Sequence, residues 1–163
     1  MIEKMKTVPS ASFVRAFLGH CAQNPGQCER VTKMARAFGT QDLPASMVPL
    51  MAPQDQNAQF EGFIVLDGEG APFLFGVSKG IANGVRMCTC AVANPYANAA
   101  EVASTLVEFS GLGRPSLDEA TMGQRFRLWS TNGWARGSHI SLTDAGPSGL
   151  GGVTLGMIAP LAD

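Results

Sequence analysis

The fold that this sequence predicts depends on the stretch Gly84–Val92, which reads Gly-Val-Arg-Met-Cys-Thr-Cys-Ala-Val. The stretch is typical of a β-strand. Side chains alternate between the two faces of a strand, so Cys88 and Cys90 point to the same face. The other two cysteines, Cys21 and Cys28, lie in the helical N-terminal third. We therefore predict a sheet with helices on the face that Cys88 and Cys90 occupy.

Length and composition limit the class of protein. A chain of 163 residues predicts a single domain over 1–163, with residues 1–9 as a loose lead-in. Hydrophobic residues make up 45% and charged residues 15%, and the formal net charge is −1. No broad basic surface favours nucleic acid, and no apolar run approaches the ~20 residues that span a bilayer. We expect neither a nucleic-acid partner nor a membrane span.

The first ten residues are charged and have no long apolar core after them, so they do not match a signal peptide. The sequence leaves two locations open. The protein is cytoplasmic, or it is periplasmic or secreted and a signal peptide was removed.

Apolar residues at helical spacing predict two helices in the N-terminal third. The first runs to about Cys21, and the second runs to Phe38 with Gly39 as its stop. Their predicted N-caps are Ser10 or Ser12 for the first and Asn24 for the second.

A central helix has the clearest end signals in the chain. Asn98 is its predicted N-cap, Glu101 completes a capping box, and Gly111 ends it. Its predicted apolar face consists of Val102, Leu106 and Phe109.

Short apolar runs between turn residues predict the strands, and residues 40–59, 78–83 and 113–123 read as irregular connections. The predicted strands are Phe60–Leu66, Pro72–Val77, Gly84–Val92, Gln124–Ser130, Ser138–Thr143 and Val153–Ile158. Strands in close succession favour antiparallel pairing. The predicted class is α+β: one antiparallel sheet of about five to six strands, with two N-terminal helices and one central helix on one face.

A pairing register follows for the strands near the C-terminus. Aligning their apolar faces places Phe126 opposite Leu142 and Leu128 opposite Ile140. Trp129 then lies opposite His139, and the register requires a connection longer than a two-residue Asn132-Gly133 turn.

This register gathers Arg125, Arg127, Trp129 and His139 on the outer face of the sheet. Such a face is suited to an anionic or aromatic ligand, through charge pairing, stacking and hydrogen bonds. The alternative is an ordinary solvated sheet face with one amphipathic tryptophan.

The four cysteines, Cys21, Cys28, Cys88 and Cys90, leave several states open. Four cysteines allow three pairings, and they could also be reduced core residues or a redox or metal pair. Cys88 and Cys90 cannot readily bond to each other, because neighbours on one face of a strand are about 6.5–7 Å apart. The spacing is also unlike that of zinc sites.

Cofactor and catalytic motifs are absent from the sequence. Gly-x-Ser-x-Gly and His-Glu-x-x-His do not occur, and the glycine cluster over 146–152 leads into a strand and lacks the ending of a phosphate loop. We expect no cofactor, no metal and no catalytic residue.

The quoted residues resemble a pattern in small uncharacterised secreted bacterial proteins. The pattern consists of "Phe-Leu-Gly-His-Cys" at 17–21, "Ala-Arg-Ala-Phe-Gly" at 35–39, "Cys-Ala-Val" at 90–92, a helix and terminal strands. This resemblance implies export and a Cys21–Cys90 disulfide. Because Cys88 and Cys90 face the helices, we predict Cys21–Cys90 as the best single bridge, and Cys28–Cys88 stays open as a second. The element order is also similar to roadblock and longin domains, which are cytosolic interaction modules.

Two functions follow as expectations. The first is a small non-enzymatic domain that binds a protein or small-molecule partner. The alternative is an enzyme with a pocket near His139, Arg125 and Arg127.

Overall fold

The computed structural model describes residues 9–37, 41–50, 59–66, 72–94, 97–121, 123–144 and 152–162. These residues form one antiparallel sheet and three α-helices, and the helices pack on the sheet face that carries Cys88 and Cys90. The predicted α+β class is confirmed. The predicted number of strands was too low, because the sheet has eight.

The helices are α1 (Ser10–Phe17), α2 (Cys28–Ala37) and α3 (Ala99–Ser110), and a short π-helix over Leu18–Ala22 continues α1. The serine caps predicted for α1 were wrong. Pro9 precedes this helix without a side-chain cap, and the Ser10 hydroxyl instead donates to Glu101 at 3.2 Å. The N-cap predicted at Asn24 was also wrong, because residues 24–27 form a separate turn before α2. Phe38 and Gly39 lie outside the described residues.

The strands are β1 (Gln41–Asp42), β2 (Gln59–Leu66), β3 (Pro72–Ala82), β4 (Val85–Asn94), β5 (Leu117–Thr121), β6 (Gln124–Ser130), β7 (His139–Asp144) and β8 (Val153–Pro160). Their order across the sheet is β1-β2-β3-β4-β8-β7-β6-β5. The last strand of the chain, β8, therefore lies at the centre of the sheet, between β4 and β7.

Three segments that were predicted as irregular connections contain strands. The first, 40–59, contains the exposed two-residue strand β1. In the second, residues 78–82 continue β3, and Asn83 and Gly84 make the reversal into β4 with φ angles of 51° and 78°. Asn-Gly with positive φ at both positions is the strongest two-residue hairpin signal, and it outweighs the polar composition of this segment. The third, 113–123, contains β5, which is exposed along its whole length.

The core lies between the sheet and the helices. The predicted cap of α3 is confirmed, since the Glu101 N–H donates to Asn98 Oδ1 at 3.0 Å, and Gly111 ends the helix with a φ of 75°. Val102 and Leu106 are fully buried, as predicted. Phe109 is 41% exposed, so its assignment to the buried face was wrong. Its ring lies beside the Arg15 guanidinium group at the surface.

On the opposite side of the sheet, a small cluster covers one corner. Leu43 packs against Leu74 and Ala93, with Val48 at its margin. The close approach needs Gly62, because a Cβ there would lie 2.7 Å from Leu43 Cδ2. We call this side the outer face, since the three α-helices pack on the other side.

Candidate functional site

Two disulfides join the N-terminal helical segment to β4. Cys21 pairs with Cys90 and Cys28 with Cys88, with Cα–Cα distances of 5.3 Å and 5.8 Å. The first is the bridge that the resemblance implies, and the second is the bridge that the sequence left open. All four sulfur-bearing side chains are buried in the core cluster, so both bridges serve the packing of the helices on the sheet.

The register predicted for β6 and β7 was wrong by one residue. The structure pairs Trp129 with Ile140, Arg127 with Leu142 and Ser130 with His139. A shift of one residue moves every side chain of a strand to the other face. Arg125, Arg127 and Trp129 therefore lie on the helix-side face, and His139 lies on the outer face. The connection longer than two residues is confirmed, because Thr131 and Ser138 close it with a backbone hydrogen bond.

Trp129 explains why this register wins. Its side chain is 3% exposed, and its indole N–H donates to the Gly113 carbonyl at 3.0 Å. The observed register therefore buries the largest side chain of the strand with its one polar group satisfied, and it leaves Phe126 and Leu128 on the outer face. Trp129 is thus a core residue, and the predicted four-residue ligand face does not form.

The two arginines have different environments. Arg125 forms a two-pronged ion pair with Asp118, with Nε–Oδ1 at 2.9 Å and Nη2–Oδ2 at 2.8 Å. The hydrogen bond from Arg125 lowers the pKa of the Asp118 carboxyl, and the same contact raises the pKa of Arg125. Arg127 is 8% exposed, and its Nη1 has no hydrogen-bond partner. Burial, and to a lesser extent the charge of Arg125, lowers the pKa of Arg127.

The alternative of an enzyme near His139 loses its geometric basis. A pocket shared by His139, Arg125 and Arg127 requires all three on one side of the sheet, and the sheet itself separates the histidine from the arginines. The other histidine, His20, lies in the π-helix with its ring edge-on to Phe75, and burial lowers its pKa.

A groove of ≈ 630 Å³ opens between α2 and the edge of the sheet formed by β2 and β3. Its lining combines apolar and charged side chains: Cys28, Glu29, Thr32, Lys33 and Arg36 of α2, and Gln59, Phe60, Glu61, Val77 and Lys79 of the two strands. The volume lies within the usual range of ligand sites. This groove is the candidate binding site.

Ion pairs between the helix and the strands stand at the two ends of the groove. Lys79 Nζ lies 3.8 Å from Glu29 Oε1 at one end, and Arg36 pairs with Glu61 at the other. Lys33 lies between them on α2, is exposed, and has no ion pair within the described part of the chain. With three cations and two carboxylates, the lining has one excess positive charge.

The sheet edge beside the groove offers backbone groups. The Gly62 carbonyl accepts from the Leu43 N–H at 2.9 Å, so the polar groups of Gly62 point away from β3. Backbone groups alternate along an antiparallel strand, so those of Phe60 point the same way. β1 pairs only with Phe63 and Ile64. Among the described residues, no strand pairs with Phe60 on that side.

Sequence reasoning missed this groove. The helical spacing of Glu29, Lys33 and Arg36 was visible and places all three along one exposed side of α2. The position of α2 beside the edge of β2 depends on the bridge from Cys28 to Cys88. Sequence reasoning left this bridge open as one of several states of the cysteines.

Within the described ranges, no group of three or more histidine, cysteine, aspartate or glutamate side chains could hold a metal ion. None of the described helices has the length and apolar character that crossing a membrane requires.

Comparison with known proteins returned no matching family model, no matching curated protein and no matching solved structure.

Proposed function

We propose that this chain is a non-enzymatic binding domain of an exported protein, and that the groove beside α2 binds an extended acidic segment of a partner polypeptide. The observation that carries the proposal is the open groove beside α2, where Lys33 has no ion pair with any of the described residues. Two disulfides support export, because such bridges persist mainly in oxidising compartments.

The peptide class follows from the lining. An extended chain can add to a free strand edge through backbone hydrogen bonds, and the outward groups of Phe60 supply the donor and acceptor. The Phe60 side chain packs on the outer face against the Leu43 cluster, so Val77 is the apolar side chain on the groove side of the two strands. An acidic side chain of the peptide on that side faces Lys33, the one cation of the groove that the described residues leave without a carboxylate.

The test uses two labelled peptides, Val-Asp-Val-Glu-Val and Val-Lys-Val-Lys-Val, titrated into the oxidised protein. We expect the acidic peptide to bind and to shift backbone amide resonances of α2 and β2, and the basic peptide to leave them unchanged. Lys33→Glu should weaken binding of the acidic peptide at least about tenfold, the scale of one lost charge-assisted contact.

Arg30→Glu is the matched control, because Arg30 is exposed on the same helix but does not line the groove. It makes the same change of charge and should leave the affinity within about twofold. Equal losses in the two variants would mean only a general electrostatic attraction. That result, or resonance shifts confined to other surfaces, would refute the proposal.

A further inference from the structure

The outer face carries no ionic side chain across five adjacent strands. The outward positions of β3, β4, β8, β7 and β6 lack lysine, arginine, aspartate and glutamate, although the chain has 25 such residues. An exposed face of an antiparallel sheet is ordinarily polar. Within the described residues, only the corner around Leu43 and Val48 is covered by another segment. We propose that this face binds a second copy of the chain, sheet against sheet.

The register gives the face its shape. One row across the sheet runs Gly76, Ala91, Gly156, Ser141 and Leu128. The outward positions of this row on β3, β4 and β8 therefore carry small residues. On β6, the larger side chains of Leu128 and Phe126 project from the face. At Gly156 a Cβ would lie 2.8 Å from Ser141 Oγ, so a larger residue there would require the Ser141 hydroxyl to move.

This distribution is self-complementary. A two-fold axis parallel to the strands and centred on β8 exchanges β6 with β3 and β7 with β4 between the two copies. The bulky Leu128 of each copy then lies over the small residues Gly76 and Ala91 of the other. In an isologous contact the same patch meets itself, so any charge near the axis would face its own copy. A face without ionic groups avoids that repulsion.

The size of the face fits a weak dimer. Five strands about 4.8 Å apart and about 20 Å long make a face of at most roughly 500 Å², or about 1,000 Å² for two copies. Leu43 already covers the corner over Leu74 and Ala93. Weak and transient interfaces bury less than about 1,200 Å². We therefore expect a dissociation constant in the micromolar range. This inference is independent of the groove, which lies at the edge of the sheet beside α2.

Sedimentation velocity of the oxidised protein, from about 5 µM to about 500 µM, tests the proposal across the range in which such a dimer forms. We expect conversion from monomer to dimer as the concentration rises. Ala91→Glu should raise the dissociation constant at least about tenfold, because two carboxylates would be buried close to the axis. Mixing Ala91→Glu with Ala91→Lys should restore the dimer.

Thr89→Glu is a second variant on the same face, in case Ala91→Glu fails to fold, and thermal unfolding of each variant checks folding. Ala100→Glu on the exposed side of α3 is the control and should dimerise like the parent chain. A monomer at every concentration would overturn the proposal. It would mean that the face binds a different molecule, such as another protein or a lipid. A dimer that survives both folded outer-face variants would overturn it as well.

Discussion

The two halves of the sheet are built differently. The bridged half consists of β2, β3 and β4 with α1, the π-helix and α2, and two disulfides tie its helices to β4. The bridge-free half consists of β5, β6 and β7 with α3, which packs on β7.

The bridged half is held by covalent bonds and by apolar contacts between Phe13 and Phe73 and between Phe63 and Phe75. In the bridge-free half, Trp129, Ile140 and Leu142 continue the same apolar core cluster, although no disulfide joins the described residues there. The comparison shows that the core extends across both halves, while covalent bonds fix the helices in only one of them. At β5 the helix-side face ends in the exposed ion pair of Arg125 with Asp118.

The largest expected effect comes from removing both bridges. They are nested, so with one bridge intact the other closes a ring of only about nine residues, seven along the helical segment and two along β4. In the loop-entropy model, one double Cys→Ala variant loses about 2–3 kcal/mol of unfolding free energy, and the fourfold variant about 7 kcal/mol. Urea denaturation measures both losses.

The nesting makes this prediction specific. Cys21→Ala/Cys90→Ala and Cys28→Ala/Cys88→Ala should cost similar amounts, and the fourfold variant should cost more than their sum. Strictly additive losses would show that the unfolded chain is not restricted by a shared loop.

A single core residue of the bridge-free half should have the next largest effect. Leu106→Ala in α3 removes a fully buried side chain and should cost about 2–5 kcal/mol in chemical denaturation. Phe109→Ala, one turn further along the same helix, is the control and should cost under about 1 kcal/mol, because the ring is 41% exposed. Comparable losses at the two positions would place Phe109 in the core after all.

The smallest expected effect is a difference in how the stability of the two halves depends on pH. Burial lowers the pKa of His20 below its usual 6.5, so the unfolded chain binds the proton more readily than the folded chain does. Stability contributed by the neutral ring is present above pH 6.5 and is lost as the pH falls through and below that value. His20→Phe should flatten unfolding free energy against pH between about 7 and 5.

The bridge-free half should respond only in stronger acid. The pKa of Asp118 is lowered from 3.8 by its hydrogen bond with Arg125, so the stability that it contributes is present above pH 3.8 and is lost as the pH falls below it. Asp118→Asn should therefore change the profile below about pH 4 and leave the region from pH 5 to 7 unchanged. A change between pH 5 and 7 in this variant would show that the response near neutral pH comes from the bridge-free half and not from His20.

Much of the fold could be predicted from local patterns. The strand with Cys88 and Cys90, and the α+β class, were predicted from alternation and succession alone. The two additional strands were missed because neither has an apolar pattern. β1 is the exposed pair Gln41–Asp42, and β5 is polar and exposed along its whole length. The extension of β3 was hidden by the serine and glycine between Val77 and Ile81.

The candidate site was not predicted from the sequence. The sequence singled out arginines on β6, but the groove depends on the distance between α2 and the edge of β2, which are separate in the chain. No local pattern specifies that distance. It results from the bridge of Cys28 to Cys88 and from the packing that surrounds it.

The sequence by itself determined the features whose causes act within a few residues. The cap of α3 at Asn98 and its end at Gly111 are examples, because each rests on one hydrogen bond or one backbone angle nearby. Only the tertiary structure decided the register of β6 against β7. That choice depends on Trp129 reaching the Gly113 carbonyl, 16 residues away, and entering the core. Hydrophobic burial is non-directional, so two registers that both pair apolar residues can be separated only by the volume and polar groups of the assembled core.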